Sequence, residues 1–451
     1  MKGIVIASNA SGGGKTTVTL GLIQLLKNKG YEVQGYKVGP DYIDPAFHRE
    51  VTGQASRNLD IHLMGEEGIK ASFSRGKGDY AVVEGVMGLY DGKGIDEKYS
   101  TYHVAKELEL PIILVLSPKA SVATLCAEIN GLRDFRNANI GGIILNNISP
   151  SYYELLKLAI EENCDIKVLG YLPKNEKLSL ESRHLGLVQS MEVKNLKEKI
   201  ELCAELLEKN LNVDILLDIF KPCKKYEDNY HLTKRNLKVA IAMDKAFSFY
   251  YKENLELLEE SCEVHYFSPL KDKQLPEDID FIYLGGGYPE VFEKELLNNT
   301  SMRISIKSSL ESGVRCYAEC GGLMYLTKGI LKENLDSQEE SINLSKENNH
   351  SYIGFLNGYS IMSKSLQRFG YAQVEVAKDN PLIQKGTKIN CHEFHKSYVD
   401  LKEEMIYKVS KETFNGNIRE WDCGYVKNNT LGAYAHVHFF GNLKFINELL
   451  K

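Results

Sequence analysis

Residues 4–17, IVIASNASGGGKTT, constrain this chain more than any other stretch. The β-branched run 4–6 reads as a buried strand that passes through Ser8-Asn9-Ala10-Ser11 into Gly12, Gly13 and Gly14, with Lys15, Thr16 and Thr17 opening a helix. Glycines there let the backbone turn its N–H groups inward. The helix start adds free N–H groups and the positive end of its dipole, so the turn suits a phosphate. In such a cradle Lys15 would neutralise the β- and γ-phosphates of ATP, and the Thr16 hydroxyl would hold Mg²⁺. The strict motif begins with glycine, where this chain has Asn9. The strand before and the helix after supply the context that the motif requires.

The remaining composition narrows the partners. A chain of 451 residues predicts about two to four domains, each able to bury a core. Fifty-five Lys and Arg stand against 61 Asp and Glu, a net charge of −6, so no global field favours nucleic acid or an anionic membrane. Small molecules are the expected partners. Apolar runs such as 112–116 fall well short of the ~18 residues of a spanning helix, and the chain opens on a strand rather than a signal peptide, so the expected location is cytoplasmic. The nine cysteines are scattered with no C-x-x-C pair, which predicts free thiols rather than disulfides or structural zinc.

In the first half, a helix is expected over 18–29, with Leu20, Ile23 and Leu26 on one face, then a strand over 32–38 that carries Lys37. GPDYIDPAFH, 39–48, reads as a rigid polar loop at that strand's carboxyl end, with Asp41 and Asp44 either capping turns or facing a substrate. RNLD, 57–60, follows, then an apolar strand over 80–86 whose Glu84 occupies the place of a second magnesium ligand. Strands at 112–116 and 140–145 alternate with helical stretches at 121–135 and 152–162, the rhythm of a parallel α/β sheet. Residues 170–187, with Arg183 and His184, read as loop, and 191–220 as one long helical pattern. The polar stretch 221–236 marks the boundary, giving an ATP-dependent domain over 1–222, a linker over 223–236 and a second α/β domain over 237–451.

The second half carries thiol chemistry. A strand is expected over 237–243, and FIYLGGGYPE, 281–290, ends another in glycines whose N–H groups could face an oxyanion. VRCYAECGGLMYL, 314–326, reads as strand, elbow and helix, with small residues around Cys320 as a tight turn requires. The helix start favours its thiolate. Cys316 belongs to the core. A base must come from elsewhere, and YAHVHFFGN, 434–442, offers His436 with His438 two residues on. CHEFHKS, 391–397, lacks H-E-x-x-H spacing and is not expected to bind metal, while 332–349 reads as a polar insertion.

These segments together resemble the cobyrinic acid a,c-diamide synthase family of glutamine-dependent ligases. KVGPDYIDPAFH, ESRHLGL, FSFYY with ENLELLE, YLGGGYPE, AECGGLMYL, HEFH and AYAHVHF look like that family's, in order, over nearly the whole chain. The first half is also similar to dethiobiotin synthetase. By that likeness Thr16, Asp60 and Glu84 would surround Mg²⁺, while Lys15 and Lys37 would neutralise the transferring phosphoryl group. The second half is similar to class I glutamine amidotransferases, in which a His-x-Glu pair follows the elbow cysteine. Here His438 occupies the glutamate's place, leaving a Cys320–His436 dyad, with the Gly286 and Gly321 N–H groups for the oxyanion. The resemblance implies amidation of the a and c acetates of a corrin precursor through an acyl phosphate, with Asp41, Tyr42, Asp44 and His48 as substrate contacts. Hydrogenobyrinate and sirohydrochlorin or its nickel complex are alternative acceptors. A regulatory ATPase switch is the rival class, whose signature lysine would fall at Ala10. The motifs leave the oligomeric state open, a homodimer included.

Overall fold

Aliphatic runs with no polar alternation can be buried on both faces only in a parallel sheet covered by helices on each side. The computed structural model has that arrangement in the first of two units, Met1–Ile61 with Gly65–Asn229; the second is His62–Met64 with Tyr230–Lys451. The structure describes residues 1–179, 182–183, 186–187, 193, 195–333 and 351–451. His184 and residues 334–349 of the expected insertion lie outside them.

The first unit runs β1 Lys2–Ala7, α1 Lys15–Asn28, β2 Val33–Val38, α2 Ile43–Thr52, β3 Arg57–Leu59, α3 Ile61–Arg75, β4 Tyr80–Glu84, α4 Thr101–Glu107, β5 Ile112–Leu116, α5 Ala123–Asp134, β6 Ile140–Ile148, α6 Pro150–Cys164 and β7 Val168–Pro173. A two-residue ladder of β8 Ser182–Arg183 and β9 Gly186–Leu187 precedes α7 Leu196–Asn210, α8 Val213–Ile219 and β10 Lys221–Pro222. The strands lie parallel in the order β3-β2-β4-β1-β5-β6-β7. Because the chain departs from β1 in both directions, the crevice of the sheet opens at the carboxyl end of β1, where the glycine turn lies. Ile4, Ile6, Val82, Ile113 and Ile144 pack beneath α1 and α7. Each such fully buried aliphatic side chain contributes about 1.5–3 kcal/mol.

Two expectations are corrected here. The pattern over 191–220 is two helices, because Leu211 is extended and bridges Gly170, and the Asn212 side chain then caps α8 by accepting from the Ile215 N–H at 3.2 Å. The segment 39–48 is loop only as far as Tyr42. There Asp41 accepts from the N–H groups of Ile43 and Asp44 at 2.7 and 3.1 Å, and Pro45 stands in the first turn, where its missing N–H donor costs no helix hydrogen bond. The polar stretch after residue 220 begins with β10, antiparallel to β1.

The second unit runs β11 Lys238–Ala242, β12 Phe247–Phe249, α9 Lys252–Ser261, β13 Glu263–Phe267, β14 Phe281–Leu284, β15 Gly286–Gly287, α10 Glu293–Asn298, α11 Thr300–Glu311, β16 Arg315–Glu319 and α12 Gly321–Leu326. It continues with β17 Ile330–Lys332, β18 Gly358–Met362, β19 Arg368–Val376, β20 Lys388–His395, β21 Ser397–Leu401, β22 Glu404–Glu412, β23 Ile418–Lys427, β24 Thr430–Ala433, β25 His436–Val437 and α13 Leu443–Leu449. The main sheet has the order β13-β11-β14-β16-β24-β23-β22-β19-β20-β25. Its first five strands are parallel and the rest antiparallel. The change of mode shows in the side chains. β16 is buried almost throughout, whereas Ala372, Val374 and Val376 of β19 are buried alternately with more exposed neighbours.

Candidate active sites

The glycine turn after β1 has the backbone its residues allow. Gly12 and Gly14 take φ of +77° and +89°, values at which an L side chain is strained. Asn146 of β6 donates to the Gly13 carbonyl at 3.1 Å and braces the turn. Lys15 Nζ donates to the carbonyls of Ala10 at 3.0 Å and Met87 at 2.5 Å. Burial, and after it the Lys37 charge, lowers the Lys15 pKa to about 8. The ammonium is thus held at the turn with carbonyl acceptors and no salt bridge of its own among the described ion pairs, as a group awaiting a polyanion would be.

Below the turn, three side chains converge on Glu84 at the end of β4. Thr16 Oγ1 donates to Glu84 Oε1 at 2.6 Å, Lys37 Nζ lies 3.4 Å from the same oxygen, and His48 Nε2 is 2.8 Å from Oε2. Lys37 faces Glu84 directly in the β2–β4 register, reaches Asp44 Oδ2 at 3.0 Å, and donates to the Gly85 carbonyl at 2.7 Å. Burial opposes charge on Glu84, but Lys37, His48 and the Thr16 hydroxyl outweigh it and hold its pKa below the ordinary carboxylate range. Asp44 goes the other way: burial, then the neighbouring Glu84 and Asp41, raise it well above that range. Burial likewise works against the Lys37 cation, and Glu84, Asp44 and Asp41 overcome it, so this lysine stays protonated.

The residues expected at the substrate loop divide. His48 is fully buried, held between Glu84 and Ser56 Oγ at 3.0 Å, and so supports Glu84 from below rather than reaching into solvent. The Asp41 carboxylate is engaged in capping α2. Asp60 is buried just past β3, two strands from β4, and Tyr42 stands half-buried before α2. Among the described residues, one trio of His, Cys, Asp or Glu donors gathers closely, Glu66, His103 and Glu107. There Lys70 already pairs with Glu107 at 3.2 Å and the Tyr99 N–H donates to His103 Nδ1, which makes it an ion-pair cluster. In the HEFH segment His395 is spoken for by the Ser397 carbonyl at 2.6 Å and Glu393 at 3.3 Å.

In the second unit β16 turns into α12 at Cys320, which has φ +48° and ψ −101° although it is not glycine. Its N–H donates to Ala433 of β24 at 2.7 Å. The turn is closely covered: a Cβ on Gly322 would lie 2.2 Å from the Leu284 carbonyl, and one on Gly321 3.0 Å from the Gly287 backbone. His436 approaches from β25. Its ring is buried, with Nδ1 3.5 Å from Glu319 Oε2, and is stacked on His392, its register partner on β20, at 5.0 Å and 16°. Burial opposes its charge, but hydrogen bonding to Cys320 and to Glu319 outweighs this and raises its pKa to about 10. A Cβ on Gly286 would lie 2.5 Å from His436 Cε1, so only glycine leaves the ring its place. His438 keeps different company. It is fully buried, 3.4 Å from Glu253 Oε2 of α9, and its Nδ1 accepts from the Phe440 N–H. Sequence reading missed Glu319, Glu253 and His392; adjacency to Cys320 was the one available signal, for Glu319.

Two family models match in chain order: the CobQ/CobB/MinD/ParA nucleotide binding domain over residues 4–188, and the CobB/CobQ-like glutamine amidotransferase domain over 238–444. A cobyrinate a,c-diamide synthase of Clostridium tetani is 61% identical over 451 residues, covering 100% of both chains. That of Clostridium acetobutylicum is 60% identical over 454 residues, again 100% of each, and that of Listeria innocua 42% over 453 residues, 98% of this chain and 97% of the relative. With a phosphate cradle and a cysteine elbow in the order of both family models, and relatives matched along its full length, the chain belongs to the cobyrinate a,c-diamide synthase family.

Proposed function

We propose that this chain uses glutamine and ATP to convert the a and c acetate carboxylates of cobyrinic acid to amides, with the two turns described above as its reaction centres. The observation that supports this most is the presence on one chain of two differently equipped strand-to-helix turns. One has buried cations facing a glycine loop, and the other a thiol beside a buried imidazole.

At the second turn, the Cys320 sulfur attacks the carboxamide carbon of glutamine, and His436 passes the thiol proton to the departing ammonia. The N–H groups of Gly286 and Gly321 receive the oxyanion. Water then cleaves the thioester to glutamate and restores the thiol. At the first turn, a carboxylate of the acceptor attacks the γ-phosphorus of ATP. This step is needed because a carboxylate offers ammonia no leaving group until it is an acyl phosphate. Ammonia displaces phosphate and leaves the amide. Lys15 and Lys37 neutralise the phosphoryl charge, and Tyr42 and Asp44 line the acceptor side of a loop that Asp41 holds by capping α2. Thr16 and Glu84 set two hard oxygen atoms side by side, joined by a 2.6 Å hydrogen bond, and these with Asp60 are the residues that would hold Mg²⁺. When bound, the ion would offset charge on the ATP phosphates.

The test is a labelled turnover. Protein incubated with amide-¹⁵N glutamine, Mg-ATP and, separately, cobyrinate, hydrogenobyrinate, sirohydrochlorin and nickel sirohydrochlorin should place ¹⁵N on cobyrinate, with ADP and glutamate formed in step with each amide. Labelled product from sirohydrochlorin alone would move the assignment to that macrocycle. ATP turnover with no amide on any acceptor would favour the switch-like reading.

A further inference from the structure

We infer that Glu319, the residue immediately before the nucleophile, is the positioning carboxylate of the thiol site, holding His436 by Nδ1 so that its other ring nitrogen meets Cys320. The inference rests on the assignment of Cys320 and His436 to glutamine hydrolysis made above. A cysteine–histidine centre works by forming an imidazolium beside a thiolate, and a carboxylate on the far ring nitrogen fixes the tautomer and steadies that cation. The family likeness looks for it two residues after the histidine. That place is taken by His438, which is partnered by Glu253 instead.

The strained elbow explains how adjacent residues can serve one ring. On a regular strand Glu319 and Cys320 would point to opposite faces. Glu319 is the last residue of β16, opposite Ala433, and the chain reverses at once through the positive φ of Cys320, so both side chains can reach the ring. The carboxylate lies 3.5 Å from Nδ1 with 1% of its side chain exposed, against 4% for the imidazole.

The surrounding groups compete little for this role. Facing His436 are Cys320 at the start of α12, Glu319 on β16 and His392 on β20; burial, then His436 and His62, keep His392 well below its ordinary range and so uncharged. Around Glu319, burial raises the phenols of Tyr250, Tyr283, Tyr317 and Tyr407 and the Cys391 thiol well above their ordinary values, and Glu319 adds to each. These neighbours are therefore neutral near pH 7, and the carboxylate faces the ring without a rival anion among them.

Glu319→Gln keeps the shape and removes the charge. It should lower kcat for glutamate release by about a hundredfold or more, with little change in KM for glutamine. The alkaline limb of the glutaminase pH profile should move down by about one unit or more, since the imidazolium loses its counter-charge. Glu319→Asp should keep the limb near its original place and recover part of the rate. Ammonia-dependent synthesis, which uses the other turn, should be unchanged and reports that the variant is folded. If the variant does not fold, the wild-type protein decides: a far-downfield proton resonance that disappears in His436→Asn is expected for an Nδ1–H donated to a carboxylate, and its absence overturns the inference. Glutaminase within about threefold of wild type in folded Glu319→Gln, with an unmoved limb, overturns it as well. Continued glutamine use by Cys320→Ala would instead sink the assignment on which it rests.

Discussion

The two turns use the same local device, a buried parallel strand ending at the start of a helix, and equip it in opposite ways. After β1 the awkward backbone is given to glycines, Gly12 and Gly14, and the charge is plural: Lys15 and Lys37 with the Glu84 carboxylate, and Asp44 in contact with Lys37. After β16 the positive φ falls on Cys320 itself, and the charge near it is sparse, one imidazole and one carboxylate amid protonated tyrosines. The contrast follows from the ligands. A nucleotide arrives carrying several negative charges, so a site for it must hold cations in reserve and keep backbone N–H groups accessible. On the proposed assignment, a neutral carboxamide brings no charge and calls for no such reserve, and the backbone strain sits at the nucleophile itself.

Substitutions at either turn can break this comparison. Lys15→Ala should have the largest effect, lowering ATP-dependent amidation by about a thousandfold or more with either nitrogen donor while glutamate release continues. Near-normal synthesis at saturating ATP would show that the cradle is decorative. His436→Asn should lower glutamate release by about a hundredfold or more, whereas His438→Asn should cost about tenfold or less, since its contacts are with α9 and Phe440. The reverse ranking would mean that the base is misassigned. Gly286→Ala pushes a methyl against His436 Cε1 and should slow glutamate release by about tenfold, without touching ammonia-dependent synthesis. The smallest effect concerns pH. Burial and Lys37 lower Lys15 to about 8, so it is charged below that pH and neutral above it. Therefore kcat/KM for ATP should fall as pH rises through about 8. Glutamate release should show no limb there, and a shared limb would mean that one group limits both reactions.

Much of this was legible because it depends on local spacing. A glycine run before Lys15, a carboxylate ending an apolar strand and a cysteine between small residues each state their geometry within a few positions. What escaped depended on pairing between distant segments. His48 looked like a loop contact because nothing in 39–48 reveals that α2 begins at Ile43 and turns this ring inward to Glu84. The break at Leu211 and Asn212 was hidden in an apolar pattern that continues across it; a backbone bridge to Gly170 sets it, and no periodicity encodes that. The carboxylate near His436 was sought by likeness two residues downstream, whereas folding supplies Glu319 from a strand more than a hundred residues earlier.

The central claim is that one chain carries two separable reactions, ammonia release at Cys320 and ATP-driven amide formation at the glycine turn. The direct measurement is the rate of amide formation by Cys320→Ala with glutamine and, separately, with a high concentration of ammonium salt. The account predicts no synthesis from glutamine and near wild-type synthesis from ammonia. Equal loss with both nitrogen donors in a folded protein, or undiminished use of glutamine, would contradict it.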